Sequence, residues 1–102
     1  MLELRLSGFD WDAGNRAKCQ KHGLSMQQVE AFFADNPRVA PDWKHAAVEE
    51  RFIAVGRLPG GRPVFVAFTF RIKQGRRFIR PVTARYMHKK EIAAYEKESP
   101  AT

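Results

Sequence analysis

Five arginines in the second half of the chain are the residues best suited to chemistry on a charged substrate. Neighbouring strands of a sheet lie about 4.8 Å apart, so arginines on two such strands can form one basic patch. Several guanidinium groups together can hold a polyanion, because each can bind a phosphate through two parallel hydrogen bonds. The plainer alternative is a solvated sheet surface. The arginines on two predicted strands and the turn between them are Arg71, Arg76, Arg77, Arg80 and Arg85.

A histidine at the end of the first predicted helix is the clearest acid–base candidate. The segment Lys21-His22-Gly23 ends this helix, and the negative end of a helix dipole favours a protonated imidazole. Histidine changes its charge near neutral pH, so His22 could donate or accept a proton during phosphate chemistry. Taken alone, the spacing favours the simpler interpretation, in which Lys21 and His22 only complement the helix dipole.

A cluster of acidic and basic residues stands just before the predicted sheet. It consists of His45, Glu49, Glu50 and Arg51. A carboxylate beside a histidine and an arginine could act as a general base, or it could only hold the guanidinium group in place. The sequence slightly favours a solvated loop. The three histidines and the single cysteine lack the spacing of a metal site, so we expect neither a metal nor another cofactor.

The end of the basic stretch combines an aromatic ring with cationic side chains. Tyr86 follows Arg85 directly, and His88 stands two residues further on. Aromatic rings beside arginines commonly stack on the bases of single-stranded RNA. Tyr86 could equally be a core residue with its hydroxyl group at the surface. Tyr86 and His88 are therefore secondary candidates for contact with a nucleic acid.

Capping residues and hydrophobic spacing predict the elements that would position these side chains. Asp12 is a helix N-cap, and Ser25 with Gln28 forms a capping box for a second helix. The predicted elements are a strand over 2–6, a helix over 13–22, a helix from Ser25 that ends at Asn36-Pro37, a short strand over 38–40, a loop over 42–50, strands over 51–58, 62–72 and 77–85, and a final helix over 88–97.

The three long strands predict an antiparallel meander. Turn signals at Pro59-Gly60-Gly61 and at 73–75 separate them. Pro81 cannot donate a ladder hydrogen bond, so it predicts an edge strand or a bulge. Two N-terminal helices, an antiparallel sheet and a C-terminal helix define an α+β fold, which we expect to form a single domain over residues 1–102.

Charge is distributed unevenly along the chain. From Arg51 to Lys90 there are eleven Lys and Arg residues and no Asp or Glu, whereas the rest holds seven basic and all eleven acidic residues. A long stretch of one sign attracts a polyanion, so nucleic acid or an acidic protein is the expected partner. No apolar run approaches the roughly 20 residues of a membrane helix. We therefore expect a cytoplasmic protein that does not bind membranes.

Several short segments occur in an order that resembles the BrnT family of toxins. The resemblance spans about residues 9–96, and it implies a RelE-like fold. It also implies a metal-independent endoribonuclease that inhibits translation, as the toxin of a bacterial type II toxin–antitoxin pair. A BrnA-like antitoxin would neutralise it, and operator DNA would be bound only through the toxin–antitoxin complex. The segments are Phe9-Asp10-Trp11-Asp12, Lys21-His22-Gly23-Leu24-Ser25, Glu49-Glu50-Arg51 with Ala54-Val55-Gly56-Arg57, Thr83-Ala84-Arg85, and Glu91 to Tyr95.

The resemblance also implies roles for individual residues. Lys21 and His22 match a segment at the family's active site, where His22 would move a proton and Lys21 would support charge. Arg51 and Arg85 match two arginines that would grip the scissile phosphate. The residues expected to bind the remaining substrate are Arg71, Arg77, Arg80, Tyr86 and His88.

Two positions depart from the family pattern. Thr83 stands where the family often has serine, and Pro81-Val82 replaces an Ile-Ser run, which changes the geometry expected for this strand. The alternative function is a basic module that binds nucleic acid or protein without catalysis. RNA cleavage in the presence of a chelator would distinguish the two.

Overall fold

Within residues 6–45, 49–58 and 61–98, which a computed structural model describes, five strands and three α-helices form an α+β fold. The predicted fold class is therefore confirmed. The strands form one sheet in the order β1-β5-β4-β3-β2. The elements are β1 Leu6–Phe9, α1 Ala13–Lys21, α2 Met26–Ala34, β2 Arg38–Pro41, a short 3₁₀ turn Trp43–His45, β3 Phe52–Arg57, β4 Pro63–Lys73, β5 Arg76–Tyr86 and α3 Lys89–Glu98.

Most predicted elements agree with these bounds to within one or two residues, but the N-terminal strand does not. The alternation of leucines predicts it over 2–6, of which residues 2–5 lie outside the described residues; the observed strand continues to Phe9. It also pairs parallel with β5, which adds a parallel edge to the predicted antiparallel meander. The predicted turn at 59–60 and the tail at 99–102 lie outside the described residues as well.

The two N-terminal helices are closed by the predicted caps. The Ser25 hydroxyl accepts the Gln28 backbone N–H at 3.1 Å, and the Gln28 amide oxygen accepts the Ser25 N–H at 2.9 Å. At the end of α1, Gly23 has a φ of +86°, and the Leu24 N–H donates to the Cys19 carbonyl at 3.0 Å. This Schellman geometry needs a left-handed residue, which is why the glycine stands there.

Pro81 produces the bulge that its chemistry predicts. Thr83 pairs with Ala67 and Pro81 pairs with Phe68, so Val82 has no partner on β4. The bulge keeps Ala84 and Ile79 on the same side of the sheet although five residues separate them. β5 therefore contributes to the core on both sides of the bulge.

One side of the sheet, here called the inner face, packs against α1 and α2 and forms the core. Residues directly opposite in an antiparallel pair share a face, so Val66 and Ala84 lie together on it. Burial also raises the pKa of the Cys19 thiol, which disfavours its nucleophilic thiolate form. The buried core residues are Cys19, Leu24, Val29, Phe32, Ala54, Leu58, Val64, Val66, Phe68, Ile79 and Ala84.

The opposite side, here called the outer face, is covered by α3 over one half only. The Arg57 guanidinium pairs with Glu96 at 2.7 Å, and Arg85 pairs with Glu91 at 2.7 Å. Arg38 and Arg57 also lie over the Tyr95 ring, at 5.1 and 5.7 Å from its centroid. The other half of the outer face carries polar side chains beside α1.

Candidate functional site

A cavity of about 280 Å³ lies on the outer face, where α1 meets the bulge of β5. It is called the basic pocket here, because four cationic side chains and one carboxylate line it. An excess of positive charge in a concave site attracts an anionic group such as a phosphate. The lining residues are Gly14, Asn15, Lys18, Glu49, Arg51, Arg71, Arg80, Pro81 and Val82.

The register of the sheet brings the three arginines of the basic pocket together. Arg80 lies directly opposite Thr69 on β4. Arg51 precedes Phe52, which pairs with Phe68, so Arg51 reaches Thr69 from the other side. Thr69 therefore stands between the two arginines, at about 4.8 Å from each strand. Arg71 is two residues further along β4 and shares the same face.

Hydrogen bonds to the backbone hold the segment that carries Glu49 and Arg51. The buried Thr69 hydroxyl donates to the Glu50 carbonyl at 2.6 Å. The Asp42 backbone N–H donates to the Arg51 carbonyl at 2.8 Å. Arg71 in turn donates to the Glu49 carboxylate at 2.6 Å. These contacts place one carboxylate among the cations, where it can take up a proton from a bound ligand.

Asn15 anchors α1 to the bulge of β5. Its side-chain amide donates to the carbonyls of Asp10 at 2.9 Å and Pro81 at 2.8 Å. Its oxygen accepts the Asp12 N–H at 2.7 Å, which completes a capping box. Asn15 is buried, and sequence reasoning missed it. The signal was the Asp12-x-x-Asn15 spacing, an unusual form of the capping box.

Arg80 is held in the basic pocket by the start of α1. Its guanidinium donates to Asp12 at 2.7 Å and to Asp10 at 3.3 Å. The bond to Asp12 raises the pKa of Arg80, although partial burial opposes this. The pKa of Asp10 is lowered, first by a hydrogen bond from Lys73 and also by Arg80. Arg80 is thus fixed in position and keeps N–H groups beyond those used by the two carboxylates.

Arg51 and Lys18 differ from the other two cations of the basic pocket. Neither has an ion-pair partner within the part of the chain that the structure describes. Their charges are therefore available to a ligand without displacement of a carboxylate. Of the predicted catalytic residues, Arg51 is the one that lines the basic pocket.

Lys21 and His22 lie beyond the basic pocket along α1. His22 is the C-cap, and both side chains are exposed. Residues four apart share one side of a helix, so Gly14, Lys18 and His22 form a single stripe. His22 stands one turn past Lys18, about 6 Å along the axis. The helix thus extends the cationic lining towards an imidazole.

Arg85 lies on the outer face but does not line the basic pocket. Two of its nitrogens donate to the Glu91 carboxylate at 2.7 and 2.9 Å, and its guanidinium lies 4.5 Å from the centre of the Phe65 ring. The hydrogen bonds from Arg85 lower the pKa of Glu91 to about 2. In this conformation Glu91 of α3 binds the guanidinium group of Arg85, which the family resemblance assigns to a phosphate.

Three of the predicted substrate-binding residues also lie away from the basic pocket. Arg77 is on the inner face, with its guanidinium 4.4 Å from the centre of the Phe70 ring. Tyr86 packs against the core and is covered by Arg62 at 3.7 Å. His88 is exposed just before α3. Of the predicted substrate-binding residues, Arg71 and Arg80 line the basic pocket. The arginines predicted to form one patch therefore lie on two faces of the sheet.

An exposed tryptophan, next to the residue whose backbone pairs with Arg51, was not predicted from the sequence. Trp43 is 82% exposed and follows Asp42, whose backbone pairs with Arg51. Its signal was an aromatic residue inside a polar loop, where no core could cover it. The neighbouring prediction for the His45 side chain lies outside the described residues. Trp43 offers an open aromatic surface of the kind on which nucleobases stack.

Two further findings concern metals and membranes. Within residues 6–45, 49–58 and 61–98, no three His, Cys, Asp or Glu side chains come together in a way that could hold a metal ion. In the same described part of the chain, none of the helices has the length and apolar character needed to span a bilayer.

An α+β fold with a concave pocket of clustered cations defines a class of protein suited to binding anionic groups such as phosphates. A family described as the ribonuclease toxin BrnT of type II toxin–antitoxin systems matches residues 11–91 of the 102-residue chain. The chain belongs to this family. Its class of substrate is therefore RNA, and an antitoxin is its partner. No curated protein is similar to the chain at a significant level.

Proposed function

We propose that this protein is an endoribonuclease toxin that cleaves RNA without a metal and binds the scissile phosphate in the basic pocket. The observation that carries the proposal is the convergence of Lys18, Arg51, Arg71 and Arg80 in one cavity, two of them without a carboxylate partner in the described part of the chain. Stabilisation of the charge that develops on phosphorus commonly contributes more to such catalysis than any other single effect.

Arg51 and Lys18 are the groups that bind the phosphate in this proposal. Neither has an ion-pair partner among the described residues, so within this part of the chain no carboxylate must be displaced before they bind. Arg80 and Arg71, held by acidic side chains, orient the phosphate through their remaining N–H groups. Donors fixed before the substrate binds need no reorganisation during the reaction, which is the condition for effective transition-state stabilisation.

Proton transfer in the proposed reaction needs a base and an acid. The 2′-oxygen attacks phosphorus and loses its proton to the base, while the bond to the 5′-oxygen breaks and that oxygen receives a proton from the acid. The products are a 2′,3′-cyclic phosphate and a 5′-hydroxyl group. Glu49, which lines the basic pocket, is the proposed base. His22, one helical turn from Lys18, is the proposed acid, with Lys21 beside it supporting charge.

Arg85 enters the proposal only when Glu91 releases it. In the structure its guanidinium group donates two hydrogen bonds to the Glu91 carboxylate. A phosphate of the RNA would have to replace the Glu91 carboxylate, which is chemically reasonable because both are anions that accept two parallel hydrogen bonds. Arg85 is thus proposed as a second phosphate-binding residue, and Arg51 as the first.

The wider role proposed for the protein follows from its family. As a toxin it would act in the cytoplasm and inhibit translation by cutting RNA. A BrnA-like antitoxin would neutralise it, and the complex would bind operator DNA through the antitoxin.

Incubation of the purified protein with labelled single-stranded RNA in EDTA tests the proposal. Cleavage to products with a 5′-hydroxyl group is expected, and Arg51→Ala should lower the rate by roughly 10²–10³-fold, as is typical when one charge-stabilising donor is removed. Arg76→Ala is the matched control, because this exposed hairpin arginine lies outside the basic pocket. RNA binding without products would instead identify a non-catalytic module.

A further inference from the structure

An apolar groove crosses the inner face beyond the end of the helical layer. It encloses about 530 Å³ between α2 and the two edge strands. The side chains on its floor belong to β4 and β5, namely Phe68, Phe70 and Ile79. Leu6 from β1, Phe33 from α2 and Val39 from β2 also line it.

The groove spans the full width of the sheet. Leu6 lies on β1 at one edge, and Val39 lies on β2 at the other. Four strand spacings separate these edges, which corresponds to roughly 19 Å. An α-helix of about 13 residues has this length. The groove therefore has the dimensions of a site for a helix of three to four turns.

Two large aliphatic side chains that line the groove are exposed, and so is a third on the same face outside its lining. Leu6 is 50% exposed and Val39 52% exposed at its two ends, and Ile72, two residues beyond Phe70 on β4, is 57% exposed. A contiguous apolar patch of this kind marks an interaction site more often than a free surface. The helices α1 and α2 cover one half of the inner face, and a further helix would complete the layer.

A basic group beside the groove has a specific chemical requirement. The Arg77 guanidinium lies 4.4 Å from the centre of the ring of Phe70, which belongs to the groove floor. Arg77 lies opposite Ile72 and beside Leu6 on the same face. Its Nε is buried and, among the described side chains, has no hydrogen-bond partner. Such a donor is unfavourable unless an acceptor reaches it on binding. A carboxylate carried by the occupant would satisfy both this N–H and the positive charge.

We propose that the groove binds an amphipathic helix of the antitoxin, with apolar residues at i, i+3, i+4 and i+7 and an acidic residue that pairs with Arg77. This inference rests on the protein being the toxin of a toxin–antitoxin pair. It identifies the surface that holds the partner and the chemistry of the segment that fills it. Helix-in-groove recognition of this kind is a recurring mode of protein binding. The groove lies on the face opposite the basic pocket, so the two surfaces can be tested separately.

The test uses the purified toxin and the purified antitoxin encoded beside its gene. Val39→Asp, Ile72→Asp and Arg77→Met should each weaken the affinity measured by calorimetry at least tenfold. RNA cleavage by the free Val39→Asp and Ile72→Asp toxins should be unchanged. Ala31→Asp is the matched control, because Ala31 is exposed on α2 and does not line the groove. Wild-type affinity in all three groove variants would overturn the inference.

Labelling of a new cysteine provides a second measurement. Cys19 is buried, so a thiol-specific reagent should modify mainly the new thiol in a Val39→Cys variant. The antitoxin should protect this thiol and leave that of Ala31→Cys reactive. Equal labelling with and without antitoxin, or protection by self-association of the toxin alone, would contradict the proposed occupant. If the wild-type toxin binds the antitoxin as expected but does not cleave RNA, the result counts against the proposed ribonuclease mechanism and not against the proposed groove.

Discussion

At the scale of single residues, arginines that look alike in the sequence have different surroundings in the structure. Arg51 has no ion-pair partner among the described residues, Arg80 is fixed by two aspartates and Arg85 is occupied by Glu91. Arg77 points to the other face of the sheet. These arginines differ in their acidic partners and in the face of the sheet to which each side chain points. They should therefore respond differently to substitution.

Trp43 allows a direct test of RNA contact at the residue scale. We expect its fluorescence to be quenched when a 2′-O-methyl oligoribonucleotide binds, since an exposed indole can stack on a base. The Trp43→Phe variant should lose the quenching, with binding weakened by about 1–3 kcal/mol in Trp43→Ala. Trp11→Phe is the control, because the Trp11 indole is partly buried and donates to Glu30 at 2.9 Å. Full quenching in Trp43→Phe would show that Trp43 does not contact the RNA.

At the scale of elements, the position of α1 depends on one buried amide. Asn15 joins the helix start to the β5 bulge through two carbonyl groups. Asn15→Ala removes both bonds and half of the capping box, and we expect it to lower the free energy of unfolding by roughly 2–3 kcal/mol. Urea denaturation measures this change. Gln20→Ala, on the exposed side of the same helix, should be nearly neutral, and an equally small change in Asn15→Ala would contradict the anchoring role.

The docking of α3 should depend on pH through Glu91. Hydrogen bonds from Arg85 hold the pKa of Glu91 at about 2, below its ordinary value of 4.5. Between these values the unfolded chain binds more protons than the folded chain, so stability rises with pH. The contribution of the pair is complete above the ordinary value and is lost as the pH falls towards 2.

Comparison of Glu91→Gln with the wild type isolates this contribution. The carboxylate is about a third exposed, so solvent screening limits the difference in unfolding free energy to about 1 kcal/mol at pH 7. The difference should vanish near pH 2. Glu96→Gln removes the carboxylate that pairs with Arg57. Because Glu96 is more exposed than Glu91, this change should have little effect at either pH. A Glu91→Gln difference that persists unchanged at low pH would exclude the ion pair as its origin.

At the scale of the whole molecule, charge and apolar surface are divided between the two faces of one sheet. The basic pocket lies on the outer face, and the apolar groove lies on the inner face. The alternation of side chains along β4 and β5 produces this division, because successive residues point to opposite sides. The proposed RNA site and the proposed antitoxin-binding surface therefore lie on opposite sides of the sheet.

The net charge of +7 predicts that RNA binding is strongly salt-dependent. If the basic pocket neutralises about three phosphates, the logarithm of the association constant should fall with the logarithm of salt concentration with a slope near −2. Arg51→Ala should reduce the slope by about 0.7, the value for one phosphate of a single strand. Titration with 2′-O-methyl RNA at several salt concentrations measures both slopes. A slope near zero would show that the basic side chains do not neutralise RNA phosphates.

Much of the fold could be predicted from the sequence because the relevant signals are local. Ser25 with Gln28 and the glycine at position 23 specify helix ends through contacts within a few residues. Pro81 predicts a bulge because it lacks an N–H. The parallel pairing of β1 with β5 could not be predicted in this way, since it joins segments some 70 residues apart.

The sequence by itself determined which residue types are present: an excess of cations from Arg51 to Lys90, and an imidazole at the end of the first helix. These follow from composition and from local capping. Only the tertiary structure decided which cations act together. Strand register places Arg51 and Arg80 on one face and Arg77 on the other, and the packing of α3 brings Glu91 to Arg85. Both depend on contacts between distant segments, which no local pattern specifies.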